Sequence, residues 1–236
     1  MYKYWKFSTR ILLVVLLLMV SKFNGFTQNF DFVKIKAEQG DANAQLELGC
    51  IYALGKGTLK DEKQAFYWCK KSAEQGHVDA QYMLAQSYAL GKGTLKDEKQ
   101  AFYWYQKSAE QGEVKAQFYL SQLFYRGKGT LKDDKKSFFW SQKSAEQGHV
   151  DAQYNLAHMY EFGIGVSIDY EQAFYWYQKS AEQDNSAAQC SLALMYCSGV
   201  GALENYKKAA YWARKSYENG YEEAKRLWEE FELWKY

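Results

Sequence analysis

The chain has 236 residues, 47% of them hydrophobic and 25% charged; aromatic residues reach 18% and proline is absent. It is too apolar and too patterned for a disordered chain, and so little turn-forming punctuation excludes an all-β sandwich or barrel, whose short strands need Gly and Pro between them. The formal charge of +2 arises in the first 27 residues, which hold Lys3, Lys6, Arg10 and Lys22 and no acid; without them 26 basic residues face 28 acidic ones, with no basic footprint for nucleic acid.

Residues 1–27 read as a secretory signal peptide. Lys3, Lys6 and Arg10 precede an unbroken apolar run from Ile11 to Val20, and Ser21–Lys22 make a polar exit. Ten helical residues cover about 15 Å, roughly half of a bilayer's hydrocarbon core, so the run is short for a span. Gly25 and Thr27 supply the small residues for cleavage before Gln28, although an Ala-x-Ala site is absent. The expectation is an exported chain, periplasmic or secreted, with no stable membrane span once the signal is removed; the alternative is an uncleaved segment retained as an anchor.

A single period governs the rest. Ala-Glu-Gln-Gly begins at Ala37, Ala73, Ala109 and Ala145, Ala-Glu-Gln-Asp at Ala181 and Tyr-Glu-Asn-Gly at Tyr217, always 36 residues apart. Tyr52–Trp68 and Tyr88–Trp104 are identical over 17 residues, which points to duplication within the chain. The organisation expected is a partial repeat or cap at 28–40, five repeats at 41–76, 77–112, 113–148, 149–184 and 185–220, and a capping helix at 221–236.

Each repeat reads as two helices. In the second, Ala80, Leu84, Ala85 and Tyr88 recur at helical spacing; Gly91-Lys92-Gly93 ends that helix, and Asp97 with Gln100 has the spacing of a capping box for the next. Ala101, Trp104, Tyr105 and Ser108 then form an inner face. The columns repeat: Ala44, Ala80, Ala116, Ala152 and Ala188 are small enough for close helix approach, while Trp68, Trp104, Trp140, Trp176 and Trp212 are expected to fill the groove between successive pairs. Neither helix can bury its face alone, so the units must stack into an all-α solenoid.

At these residues the chain resembles the Sel-one-like repeats (SLRs), relatives of the tetratricopeptide repeats. The fourth repeat carries the likeness best: Asp151-Ala152-Gln153-Tyr154-Asn155-Leu156, Met159-Tyr160, Gly163-Ile164-Gly165-Val166, Asp169-Tyr170 and Trp176-Tyr177 before Ala181-Glu182-Gln183. The resemblance covers about residues 30–236. It implies a right-handed αα superhelical solenoid of 36-residue helix-turn-helix repeats, used as a protein-binding adaptor. The proline that many members carry after the Gly-x-Gly loop is missing.

Catalytic signatures are scarce. His77 and His149 share the first position of their repeats and are expected as surface residues at helix starts; no nucleophile recurs beside them. Gly-Lys-Gly-Thr at Gly55, Gly91 and Gly127 lacks the spacing and the preceding strand of a phosphate loop and reads as an interhelix turn. No His-Glu-x-x-His or Cys-x-x-Cys occurs, and nothing implies a metal site or a cofactor. Cys190 and Cys197 lie about 10.5 Å apart along one helix, beyond the roughly 7 Å that a disulfide allows. The cysteine-rich SLR branch pairs cysteines in each unit, and the matching positions here are Ala73/Gln81 and Ala109/Gln117. All four cysteines are therefore expected as free packing thiols, with no disulfide.

The expected function is a non-catalytic scaffold that binds a partner protein or peptide in a concave groove lined by the first helices. With Leu84, Leu120 and Leu156 as the buried direction, residues two before and two after point roughly 160° away: Tyr82 and Gln86, Phe118 and Gln122, Tyr154 and His158. Tyr125 and Glu161 follow one turn on. These eight are the candidate partner-binding residues, with aromatic anchors and amides for a partner's backbone. Tyr67, Tyr103, Phe139, Tyr175 and Tyr211 are expected on the outer surface. The alternative is a cell-envelope glycan-binding protein or a β-lactamase-like hydrolase of the cysteine-rich branch, although no serine-based acyl-transfer set supports the latter.

Overall fold

Asp61, Asp97, Asp133, Asp169 and Asn205 stand one period apart, and each starts a helix by accepting hydrogen bonds from backbone amides two or three residues on, at 2.9–3.0 Å. Their own amides donate to the carbonyls of Tyr52, Tyr88, Phe124, Tyr160 and Tyr196 in the preceding helix. The amide of Asp97 is thus already taken by Tyr88, so the reciprocal half of the expected capping box, from Gln100, is not made.

A computed structural model describes residues 30–236; the expected signal peptide at 1–27 lies outside the described residues. Among them twelve α-helices and one 3-10 turn are present, and no strand. Residues 30–38 form α1. Then follow α2 (Ala42–Leu54), α3 (Glu62–Glu74), α4 (Val78–Leu90), α5 (Glu98–Glu110), α6 (Val114–Arg126), α7 (Asp134–Glu146), α8 (Val150–Phe162), α9 (Tyr170–Glu182), α10 (Ser186–Ser198), α11 (Tyr206–Glu218) and α12 (Glu223–Glu230), with the 3-10 turn at Leu233–Lys235. The helices α2 to α11 are each 13 residues long.

The described residues divide into two compact units, 30–104 and 105–236, and the division falls inside α5. In the first, α2 packs on α3 and α3 on α4. Val33 and Ala37 of α1 join Ala44, Leu48 and Trp68 in one cluster, so α1 caps α2. In the second, each helix from α6 to α12 packs on the next, pair on pair, as in a solenoid. Leu227 and Leu233 close that unit over Ala209, Ala210 and Ala213.

The Gly-x-Gly loop has two distinct jobs. Gly91, at φ +70°, ends α4 in the left-handed region. A Cβ on Gly93 would lie 2.0 Å from the carbonyl oxygen of Glu62, and one on Gly165 2.1 Å from that of Asp134, so the second glycine lets the loop touch the first turn of the preceding repeat's second helix.

The alanine and leucine columns are buried as expected, but the tryptophan column is not central. Trp68 is 8% exposed, whereas Trp104, Trp140, Trp176 and Trp212 are only half-buried. The central column is the next residue along: Cys69, Tyr105, Ser141, Tyr177 and Ala213, each buried. The Trp rings close the edge of the Ala/Leu clusters, as Trp176 does for Ala152 and Leu156. Tyr67, Tyr103, Phe139, Tyr175 and Tyr211 are exposed and meet the adjacent Trp edge-on at 5.0 Å.

Two polar columns tie repeat to repeat. Gln45, Gln81, Gln117, Gln153 and Gln189 are buried, and each donates Nε2 to the carbonyl of Ala37, Ala73, Ala109, Ala145 or Ala181 at 3.0–3.3 Å. Ser72, Ser144, Ser180 and Ser216 donate to carbonyls thirty residues back, at 2.7–2.9 Å.

His77 and His149 are structural rather than loose surface groups. His149 Nδ1 accepts from the amide of Ala152 at 3.3 Å, capping α8, and its ring stacks on Phe118 at 4.6 Å. His77 Nε2 lies 3.0 Å from Asn43 Oδ1.

Candidate binding pocket

The eight candidate residues divide between the units. In the first, Tyr82 and Gln86 are half-buried and joined, with Gln86 Nε2 donating to the Tyr82 hydroxyl at 2.7 Å. In the second, Gln122, Tyr125, Tyr154 and His158 line one cavity of about 240 Å³ between α6, α7 and α8.

Phe118 and Glu161 are placed differently. Phe118 stacks on His149 and packs against Ala145, Ala152 and Leu156, so its ring is committed to holding the repeats together. Glu161 accepts a hydrogen bond at 2.6 Å from the hydroxyl of Tyr177, whose pKa burial and this carboxylate push up. Tyr154 lies 5.7 Å from the Tyr177 ring. Its own pKa is raised, chiefly by burial. Burial lowers the pKa of His158, against a weaker opposing pull from Glu161, and its ring rests on Phe162 at 4.4 Å. Tyr125 is 41% exposed at the rim, with Lys132 Nζ 5.4 Å from its ring centre.

The floor of the cavity was not singled out from sequence. Ser121, Ser137 and Ser141 are at most 1% exposed, and Ser121 Oγ lies 2.6 Å from Ser141 Oγ and 3.3 Å from Ser137 Oγ. Asn155, Arg126, Met159 and Ile164 complete the wall. The signal was present: the equivalent positions in the other repeats hold only Gly, Ala, Cys or Tyr.

In the first unit a cavity of about 260 Å³ opens at the equivalent place, lined by Ala65, Cys69, Met83 and Gln86 among others. All four cysteines are unbridged. Burial raises the Cys69 thiol to about 12 and those of Cys190 and Cys197 to about 11, so at neutral pH they are thiols and poor nucleophiles. Among the described residues no group of His, Cys, Asp and Glu could hold a metal ion, and no helix is long and apolar enough to cross a membrane.

Comparison with known proteins agrees with this architecture. The Sel1 repeat family matches at 42–77, 78–113, 114–149, 150–185 and 186–221, each one residue later than the frame read from the Ala-Glu-Gln motif. No curated protein matches the chain. Among solved structures, a protective antigen present in uropathogenic Escherichia coli strains and displaying an SLR fold is 40% identical, with a TM-score of 0.80 over 83% of this chain; the chain spans 42% of that protein. A Sel1 repeat protein from Oxalobacter formigenes is 32% identical, with a TM-score of 0.77 over 88% of this chain and 82% of that one. With five consecutive matches to one family and a similar fold in both proteins, the chain belongs to the Sel1 repeat family, a family of protein–protein interaction scaffolds.

Proposed function

We propose that the chain is an exported, non-catalytic scaffold that binds an extended segment of a partner protein along its first helices, centred in the second unit on the cavity between α6, α7 and α8. The observation that carries this reading is convergence. Gln122, Tyr125, Tyr154 and His158, four of the eight residues expected from helical position and side-chain type, line one cavity. Its mixture of aromatic faces, amides and hydroxyls suits a peptide, whose side chains need apolar anchors and whose backbone needs hydrogen-bond partners. Export rests on the charge and apolar pattern of residues 1–27; the similar E. coli protein being a protective antigen is in keeping with it.

The test is affinity capture with the pair Tyr125→Ala and His158→Ala. Neither side chain belongs to the buried Ala/Leu clusters, so helical signal and melting temperature should stay within a few degrees of wild type while partner recovery falls at least tenfold. Undiminished recovery would place the binding surface elsewhere. N-terminal sequencing of the exported chain should return Gln28, and a sequence starting at Met1 would replace the cleaved signal by a retained segment.

A further inference from the structure

The central column of the second helices runs Cys69, Tyr105, Ser141, Tyr177, Ala213, all buried. Where it is tyrosine, the chain's own ring packs against a neighbouring first helix. Tyr105 stacks on Tyr119 at 5.3 Å, and Tyr177 packs beside Tyr154 with its hydroxyl on Glu161. Where it is Ser141, that space is the 240 Å³ cavity. A cavity of roughly 150 Å³ already holds a benzene ring, so this one has room for a single ring with a polar substituent.

The polarity of the cavity says which ring. Tyr177 rises from the second helix and carries its hydroxyl outward to Glu161. A ring entering from outside points the opposite way, so its far end reaches the floor. In this repeat the floor carries three buried hydroxyls, on Ser121, Ser137 and Ser141, whose mutual bonds leave capacity for another donor or acceptor. The equivalent floor in the first repeat is Gly49, Ala65 and Cys69, which gives no such partner. A site that hydrogen-bonds a ligand hydroxyl discriminates against the analogue lacking it, because its own buried polar groups would face an apolar edge.

We propose that the third-repeat cavity is a socket for a tyrosine side chain of the bound partner segment, its ring against Tyr154 and His158 and its hydroxyl on the serine floor. This rests on the protein-binding reading above and adds to it the residue recognised.

The experiment uses p-cresol and toluene as probes for tyrosine and phenylalanine side chains, titrated into the pure protein and followed by NMR. Wild type should bind p-cresol at least tenfold more tightly than toluene, and Ser141→Ala should reduce that preference to under threefold. Ser141→Tyr, which places in this repeat the residue found at Tyr105 and Tyr177, should abolish p-cresol binding without lowering the melting temperature; Ser141→Leu is the smaller plug if the tyrosine is not accommodated. Absence of p-cresol binding to wild type, equal affinity for toluene, or unchanged binding in the plugged variant overturns the proposal. So does partner capture by the plugged variant at the wild-type level, which would leave the groove reading standing. Failure of wild type to capture any protein sinks the groove reading and this proposal with it, and is read separately from p-cresol binding to pure protein.

Discussion

Gln153 is 5% exposed with both ends of its amide in use: Nε2 donates to the carbonyl of Ala145 at 3.2 Å, and Oε1 accepts from Gln183 Nε2 at 2.8 Å. Gln153→Leu keeps the volume but removes the inter-repeat donor to the Ala145 carbonyl, which retains the amide of Gly148 at 2.9 Å, and should cost about 1–2 kcal/mol. Gln183→Ala removes the exposed partner and should cost under about 1 kcal/mol, because water can replace it. Thermal melting of the two variants checks the order. The same measurement separates Trp176→Ala, at about 3 kcal/mol for a ring packed on Ala152 and Leu156, from Tyr175→Ala, whose ring is 48% exposed and worth about 1 kcal/mol. Gln153 and its equivalents were visible in the sequence as a motif letter but not as a core element, because glutamine is by default a surface residue. The serine floor was hidden for a different reason. Ser121, Ser137 and Ser141 lie on two helices, and only the fold brings positions 16 and 20 residues apart into one cluster.

At the level of the element, the loops and helix starts hold the repeats in register. Gly148 and Gly165 both have positive φ, +89° and +74°, but a Cβ at Gly148 meets nothing within 4 Å whereas one at Gly165 meets the Asp134 carbonyl at 2.1 Å. Gly148→Ala should therefore cost only the left-handed strain, about 1–2 kcal/mol. Gly165→Ala should cost at least twice as much, since α7 must move away from the loop; equal losses by denaturant unfolding would mean the loop is not a repeat contact. The start of α8 adds a pH dependence. Burial lowers the pKa of His149, with Asp151 and Glu113 pulling it up and Lys115 adding to the depression. The unfolded chain then takes up the proton before the folded one, so stability falls as pH drops through about 6.5 and below. Protonation also removes the lone pair that caps Ala152. His149→Asn retains a cap of the kind Asn185 makes to Ala188 and should shrink the difference in melting temperature between pH 7.5 and pH 5. An unchanged difference would assign the acid sensitivity elsewhere.

For the whole molecule, the 36-residue period made the helix pairs and their solenoid stacking legible in the sequence, because each repeat must bury the same columns against the next; the uniform 13-residue length of the helices is a finding of the structure. The division into two units inside α5 was not legible. Glu98–Glu110 reads EKQAFYWYQKSAE, with the same columns as the other second helices, so no linker composition marks it. Stacking by nearest neighbours has a consequence for the last pair of the second unit. The apolar face of α11 is covered by α12 and the 3-10 turn, where Leu227 is 7% and Leu233 0% exposed, against Ala209, Ala210 and Ala213. Removing residues 221–236 would uncover that face, losing two buried leucines at 1.5–3 kcal/mol each, about 4 kcal/mol in all. In a one-dimensional array this loss falls first on the adjoining pair. Hydrogen exchange of the shortened chain should therefore show α10 and α11 opening most, with α6 and α7 retaining nearly all of their protection. Trp234→Ala, at a residue 55% exposed, should leave every helix as protected as in the full chain. Uniform loss of protection from α6 to α11 would instead show that the second unit opens as one cooperative block, in which stability is not a sum of neighbouring interfaces.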